Sequence, residues 1–165
     1  MVSGRDGVDR RDRFDSVIIE PASDEKEIID FYSDPRIKHW TKMDNAPDLR
    51  FMAKRAVHEG QSYRLSVSGK LSGFILIEMI FSVAIAHIAV HPRMFGKRAS
   101  DSCQAVMAYL FAKGVQEIQL HIPDHNLSAR YLAGRLGFER YDIQHFAWPK
   151  DGIHYDLICY RKEKP

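Results

Sequence analysis

Cysteine, long apolar runs and excess charge are all scarce in this sequence, and each absence excludes a class of protein. The two cysteines, Cys103 and Cys159, lack the spacing of a disulfide framework or a zinc site, so we expect reduced, buried thiols and no metal site. No apolar run approaches the roughly 18 residues of a membrane span, and the N-terminus is charged where a signal peptide is apolar, so we expect a cytoplasmic protein without membrane contact. With 24 basic and 22 acidic residues, the chain has no basic field that gathers nucleic acid, and we expect no such partner.

What the sequence does contain suits one folded domain. The chain has 165 residues, of which 45% are hydrophobic, enough to build a single core. Residues 1–15 are rich in Arg and Asp and nearly devoid of apolar side chains, which predicts a mobile N-terminal extension. Residues 16–165 are predicted to form the domain itself.

Helical spacing of apolar residues, with start and stop signals, predicts four helices. They are, in order, Ser23 as N-cap to about Tyr32, Pro47 to about His58 with Gly60 after its end, Ala99 to Gly114, and Asn126 to Gly137. In the third helix, Cys103 falls on the apolar face, which argues against a role as nucleophile.

Alternating or continuous apolar runs predict seven strands. They are SVIIE, SYRLSVSG, GFILIEMI, VAIAHIAV, VQEIQLHIP, FERYDIQHFAW and IHYDLICYRK. The order β-α-α-β-β-β-α-β-α-β-β is an α/β fold with a mixed, mostly antiparallel central sheet flanked by helices. The second to fourth strands are expected to form an antiparallel meander, and the strand–helix–strand unit after them requires a parallel pair. A ligand site is expected beside the carboxyl end of the strand that leads into the third helix.

The segment HIAVHPRMFGKRAS joins that strand to that helix and carries three basic side chains around a glycine. Backbone N–H groups in the first turn of a helix lack intrahelical partners, and the helix dipole adds to their attraction for an anion. Gly96 lets a phosphate approach the main chain closely. A solvated basic helix start is the alternative interpretation of Arg93, Lys97 and Arg98.

The stretch VHPRMFGKRA resembles the acyl-CoA-binding signature of the GNAT superfamily of N-acyltransferases, in which [Q/R]xxGx[G/A] follows a valine and a proline. Arg93 and Gly96 match this pattern, whereas Arg98 stands where the family has a second small residue. The stretch NLSARYLAGRLGF resembles the family's Asn, then Ala or Ser three residues on, then a helix closing in Gly-Phe. With the order of elements, the resemblance covers about Val17 to Arg161 and implies the GNAT fold.

The resemblance also implies acetyl-CoA as the cofactor and assigns residues to its parts. The main chain of Ala89 and Val90 is expected to hold the pantetheine arm and the acetyl group. The pyrophosphate is expected at the corner, whose residues are Arg93, Met94, Phe95, Gly96, Lys97, Arg98 and Ala99. Asn126 is expected to contact the cofactor, and its position also predicts a helix N-cap.

The two proton-transfer groups usual in the family are absent, because its glutamate position is Ala84 and its tyrosine position is Ala133. Transfer from a thioester to an amine needs an unprotonated amine and a proton for the thiolate. The candidate substitutes are His87 as general base or water relay, Glu78 at the substrate cleft, and Tyr131 as general acid. Tyr131 lies two residues from Ala133, about 200° around a helix. A histidine bonded within its strand and a glutamate on an exposed strand face are the structural alternatives.

Three aromatic residues outside these motifs are candidates for contacts with the acceptor. Trp40 lies in SDPRIKHWTKMDNAPD, an expected loop between the first two helices, and Trp148 and Tyr155 flank the turn of the last hairpin. In family members this hairpin often walls the acceptor pocket, and GIHYD resembles the branch that acylates protein N-termini and related phage-type members. Packing of the hairpin on its own sheet is the alternative.

These features predict an acetyl-CoA-dependent N-acetyltransferase that acts on a primary amine of a protein or small molecule by direct attack in a ternary complex. The alternative is a catalytically impaired protein of the same fold that modulates a partner protein, such as a phage-encoded protein acting on a host protein. The missing Glu and Tyr favour the alternative, whereas Gly96, Asn126 and His87 favour the enzyme. A monomer and a homodimer are both compatible with the sequence.

Overall fold

The computed structural model describes residues 17–59 and 62–165. The predicted extension over residues 1–15 and the predicted helix stop at Gly60 lie outside the described residues. The described chain forms these strands and helices: β1 Val17–Pro21, α1 Glu25–Ser33, α2 Pro35–Thr41, α3 Leu49–His58, β2 Ser62–Val67, β3 Lys70–Ile80, β4 Val83–Val90, α4 Lys97–Ala112, β5 Glu117–Pro123, α5 Leu127–Arg135, β6 Glu139–Lys150 and β7 Ile153–Glu163. None of the described helices has the length and apolar character that a membrane crossing needs.

The strands form one mixed sheet in the order β1-β2-β3-β4-β5-β7-β6. Every neighbouring pair is antiparallel except β4 and β5, which are parallel and connected through α4. The predicted meander of β2, β3 and β4 and the predicted parallel pair are both confirmed. The α/β fold class, with a mostly antiparallel sheet flanked by helices, is confirmed with them.

The parallel pair is short. Val83–Ile85 of β4 pair with Glu117–Gln119 of β5, and the register then ends. Over the described residues, β4 continues to Val90 paired on its other side with β3, and β5 continues to Pro123 paired on its other side with β7. The sheet is therefore divided by a split between β4 and β5, which opens toward the carboxyl ends of both strands.

The two faces of the sheet carry separate apolar clusters. On the face that we call the α4 face, Ile75 and Ile118 pack with Val106 of α4 and with residues of α5. On the opposite face, called the α1 face, Phe74 and Ala89 pack with residues of α1, α2 and α3. Fully burying a side chain of the size of Phe74 stabilises the fold by about 1.5–3 kcal/mol. Alternation along the strands then assigns every other residue to one face or the other.

The structure adds one helix to the predicted order. Helix α2 occupies the segment that was expected to be a loop between the first two helices. Asp34 caps it by accepting a hydrogen bond from the N–H of Arg36, and Pro35 occupies the first helical position, where its missing N–H costs nothing. With seven residues, α2 is too short to show a clear apolar period.

The starts of α1 and α3 also differ by one or two residues from the prediction. Asp24, rather than Ser23, caps α1, because its carboxylate accepts hydrogen bonds from two backbone N–H groups of the first turn. Asp48 caps α3 in the same way, so that Pro47 precedes the cap instead of starting the helix. Both aspartates also place negative charge where the helix dipole favours it.

Candidate active site

The corner between β4 and α4 presents backbone amides without a side-chain cap. Each of the other described helices has an Asp or Asn at its N-cap that accepts from the backbone. At α4 the N-cap is Gly96, with φ +87° and ψ −138°, a conformation that other residues rarely adopt, and within residues 17–59 and 62–165 no side chain caps the helix. The first turn of α4 also contains no acidic residue. The dipole of α4 therefore favours an anion at this start.

The side chains before Gly96 stabilise the corner itself. The guanidinium of Arg93 donates to the carbonyl of Leu71 at the start of β3, and the N–H of Arg93 donates to Nδ1 of His91 at 3.3 Å. Met94 is buried. Arg93 and Met94, the first two positions of the predicted signature, thus fix the main chain of the corner, because their side chains contact other parts of the domain.

The side chains after this point differ in exposure. Phe95 and Arg98 are exposed, and Ala99 is buried beneath the first turn of α4. Lys97 forms an ion pair with Asp101 one turn on, with 2.9 Å between Nζ and Oδ2. The helix starts two residues earlier than predicted, at Lys97 rather than Ala99. A phosphate at the corner would therefore contact mainly the main chain, and the basic side chains would contribute less.

The walls of the split are formed by the predicted cofactor residues on β4 and by the start of α5. Over the described chain, the main chain of Ala89 and Val90 has no β5 partner, because the parallel pairing ends at Ile85. Asn126 stands three residues beyond the end of β5, where its side chain accepts from the N–H of Ala129 at 3.2 Å. Its predicted role as N-cap of α5 is confirmed.

Two histidines and a glutamate meet on the α1 face where the split begins. His87 pairs with Leu76 of β3, so Glu78 is its diagonal neighbour on the same face, at a typical spacing of about 7–8 Å. Ile85 and Gln119 form the last parallel pair, and His87 and His121 lie two residues further along their strands on the same face. The structure therefore brings together His87 and Glu78, both predicted, and adds His121.

Desolvation lowers the pKa of both imidazoles, which favours their neutral forms. For His87, whose side chain is exposed, His121 lowers the pKa further and Glu78 opposes the shift. Desolvation likewise lowers the pKa of His121, against the carboxylates of Glu78 and Asp142. A neutral imidazole can accept a proton, which is what a general base requires.

The usual proton-transfer positions of the resembled family contribute only to the core here. Ala84 and Ala133 are 0% and 1% exposed and belong to the cluster on the α4 face. His87 lies on the other face of β4 from Ala84, because it stands three positions further along the strand. Tyr131 is 70% exposed, and the guanidinium of Arg135 lies 6.0 Å from its ring centroid. The structure does not bring Tyr131 together with His87.

The three predicted acceptor aromatics are joined into one wall by a histidine. Trp40 of α2 stacks on His125 with 6.3 Å between ring centroids, and His125 contacts Tyr155 of β7 at 4.1 Å. Trp148 is the cross-strand partner of Tyr155. Tyr155 lies on the same face of β7 as Cys159, the register partner of His121, so the wall stands on the α1 face beyond the split.

The loop after α2 is fixed to the hairpin that carries this wall. The carboxylate of Asp44 accepts from the N–H groups of Asp151 and Gly152 at 2.9 and 3.1 Å, and its own N–H donates to the carbonyl of Pro149 at 2.8 Å. The ammonium of Lys150 donates to the carbonyl of His39. The two backbone donors lower the pKa of Asp44, so the carboxylate is ionised and the contact persists at neutral pH. The end of α2 that carries Trp40 is thereby held at the hairpin of Trp148 and Tyr155.

Sequence reasoning missed His121, His125 and the contact of Asp44 with the last hairpin. A signal existed for His121, since it interrupts the apolar alternation of VQEIQLHIP two residues before the proline. For His125 the signal was its position next to the predicted N-cap Asn126. For Asp44 the sequence carries no signal beyond its place in a loop, because its partners Asp151 and Gly152 lie more than 100 residues away along the chain.

Comparison with known proteins decides the family. A sequence model described as the acetyltransferase (GNAT) family matches residues 22–138, which include the corner, the split and α5. The chain belongs to the acetyltransferase (GNAT) family. The resemblance and the fold expected from it are confirmed, and the expected class of enzyme, an acetyltransferase, is that of the family. No curated protein sequence matches the chain.

Several solved GNAT structures share the fold at low identity. Spermidine N-acetyltransferase from Vibrio cholerae, in complex with CoA and spermine, superposes with a TM-score of 0.73 at 17% identity over 89% of this chain and 95% of that one. The ribosomal-protein-S18-alanine N-acetyltransferase from Escherichia coli gives 0.69 at 18% identity over 90% and 94%. Mycobacterium smegmatis RimJ, in complex with CoA-disulfide, gives 0.68 at 13% identity over 89% and 81%. These likenesses concern the fold and leave the acceptor open.

Proposed function

We propose that this protein transfers the acetyl group of acetyl-CoA to a primary amine of a protein or small molecule by direct attack in a ternary complex. The observation that carries the proposal is the split between β4 and β5, which has His87 on its acceptor side and the uncapped start of α4 at its far end. The split would therefore have a base near one end and an anion site at the other.

The residues along the split fit an acyl-CoA thioester. The main chain of residues 94–99 would bind the diphosphate through the first-turn amides of α4, with Arg93, Lys97 and Arg98 adding positive charge at the corner. The main chain of Ala89 and Val90, which has no partner on the β5 side, would hydrogen-bond the amides of the pantetheine arm. Asn126 would contact the arm from the opposite wall. When bound, acetyl-CoA supplies an activated acetyl group.

The acceptor would enter over the α1 face of the sheet. A primary amine arrives as an ammonium ion, and Glu78 attracts it toward His87. His87, neutral because of its lowered pKa, then takes one proton and leaves the amine free to attack. Trp40, Trp148 and Tyr155 would contact the rest of the acceptor from the aromatic wall.

No covalent enzyme intermediate is part of the proposal. Cys103 is buried in the core, and desolvation raises its pKa to about 11, so the thiolate needed for nucleophilic attack is scarce. Tyr131, directed away from the core, has no role in the proposed proton transfers. Positioning of the two reactants, with backbone donors near the thioester oxygen, would supply much of the rate.

The proposal is tested by thiol release from acetyl-CoA with a panel of polyamines, peptides with free N-termini and lysine peptides. At least one amine should support turnover. His87→Gln should lower kcat about a hundredfold without changing the KM for acetyl-CoA. His58→Gln, at an exposed histidine on α3 paired with Glu25, is the control and should match the wild type.

Two results would contradict this account in different ways. Binding of acetyl-CoA without thiol release for any amine would favour the catalytically impaired alternative, to which Ala84 and Ala133 point. Turnover that His87→Gln leaves unchanged would keep the transferase and remove its assigned base.

A further inference from the structure

A row of side chains crosses the α1 face of the sheet at the start of the split. His121 of β5 pairs with Cys159 of β7, and Cys159 pairs with Asp142 of β6. On the other side of the split, His87 occupies the equivalent position on β4, two residues past the last parallel pair. His121 and His87 therefore lie on the same face, on the two strands that border the split, and near enough for the charge of one to act on the other.

The surroundings of His121 suit an imidazole that exchanges protons. The ring is half-buried, and its Nε2 is buried without a hydrogen-bond partner among the described residues. Buried polar atoms are nearly always satisfied, so an orphaned one in a cleft indicates a partner that arrives with the reaction. The carboxylates of Glu78 on β3 and Asp142 on β6 face the ring, and Cys159, fully buried beside it, is uncharged.

The two imidazoles are also coupled to each other. Charge on His121 disfavours charge on His87, and Glu78 interacts favourably with both rings. Like charges repel, so protonation of His121 makes protonation of His87 harder.

We propose that His121 is a second catalytic residue, which forms with His87 a pair of imidazoles that carries one proton from the acceptor ammonium to the departing thiolate. This inference rests on the proposed acetyltransferase function. In the family a tyrosine takes part in proton transfer, and its position in this chain is Ala133. The inference assigns the return of a proton to the thiolate to His121 instead.

The steps balance without another reactant. His87 accepts a proton from the ammonium, and the freed amine lone pair forms a C–N bond to the thioester carbon. The C–S bond breaks and its electrons go to sulfur. The amide nitrogen loses its second proton to His121, and the sulfur receives one proton from the pair. One proton remains on the pair and leaves to solvent, so acetyl-CoA and an ammonium ion give an acetamide, CoA thiol and one proton.

The coupling is tested without turnover by NMR titration of the histidine side chains. In His121→Gln the pKa of His87 should rise, because the like charge that opposes its protonation is gone. His58→Gln, remote from the pair, should leave it unchanged. An unchanged pKa of His87 in His121→Gln would show that the rings are not paired and would overturn the proposal, whatever the activity.

Kinetics then separate this inference from the function on which it rests. His121→Gln should lower kcat about a hundredfold with the preferred amine and leave the KM for acetyl-CoA unchanged, with His121→Asn as a second variant if the first fails to fold. Full kcat in an active, folded variant would overturn the relay and leave the transferase. No thiol release by the wild type with any amine would overturn both.

Discussion

Gly73 of β3 lies so close to β4 that a side chain has no room there. A Cβ at this position would lie 2.3 Å from the carbonyl oxygen of Ala89 and 3.1 Å from Cα of Val90. Real Cβ atoms essentially never approach another atom below 3.0 Å, so Gly73→Ala must push the two strands apart. The neighbours are backbone atoms of paired strands and cannot rotate away.

The cost follows from overpacking. Forcing a methyl group into a close-packed site typically costs about 1–3 kcal/mol. In a chain of this size each kcal/mol lowers Tm by about 2–4 °C, so Gly73→Ala should lower Tm by roughly 2–12 °C in thermal unfolding followed by circular dichroism. Because the displaced main chain is that of Ala89 and Val90, the KM for acetyl-CoA should rise as well.

Gly134→Ala is the matched control. Gly134 lies in α5, and a Cβ there would meet nothing within 4 Å. Alanine is favoured over glycine inside a helix by about 0.5–1 kcal/mol, so this variant should have an unchanged or slightly higher Tm. A Gly73→Ala protein as stable as the wild type, with the same affinity for acetyl-CoA, would refute the reasoning.

Three further predictions follow from the titrating groups. His87 must be neutral to act, and its pKa is lowered. We therefore expect kcat/KM to stay constant as pH falls to the ordinary histidine value of about 6.5 and to decline only below it. A decline already at pH 7.5 would contradict this. The pKa of Asp44 is lowered, so its carboxylate stabilises the fold above the ordinary Asp value and this contribution is lost as pH falls through the lowered one. Asp44→Asn should therefore be less stable than the wild type to urea at neutral pH and equal to it in strong acid, and an equal deficit at both pH values would speak against the clamp. Cys103 and Cys159 are buried with raised pKa values, so a thiol reagent should label them only after unfolding, and fast labelling of the native protein would disagree.

Strong local patterns in the sequence predicted most of the fold. The alternation in VAIAHIAV predicts β4 at the bounds that the structure shows, Val83–Val90. The change from a period of two to 3.6 after Gly96 predicts α4, and the strand–helix–strand order requires the parallel pair. These signals are local or topological, so neither needs a distance between remote residues.

The composition of the active site could not be predicted in the same way. That His121 lies on the same face as His87, just past the last parallel pair, depends on the register of β5 against β4, which only the folded sheet fixes. The contact of Asp44 with the β6–β7 hairpin and the stacking of His125 between Trp40 and Tyr155 likewise join segments that are remote in sequence. Candidate residue types were visible in the sequence, but their neighbours were not.

The central claim is that acetyl-CoA binds where the split meets the uncapped start of α4. The most direct test is calorimetric titration of acetyl-CoA into Gly96→Ala and Gly114→Ala. Both glycines flank α4 with positive φ, and a Cβ at either meets nothing within 4 Å, so each variant places a side chain in open space at a φ that favours glycine. We predict that Gly96→Ala weakens binding tenfold or more, about 1.4 kcal/mol, and that Gly114→Ala binds like the wild type. Equal affinities for the two variants, or no binding by the wild type, would contradict the account.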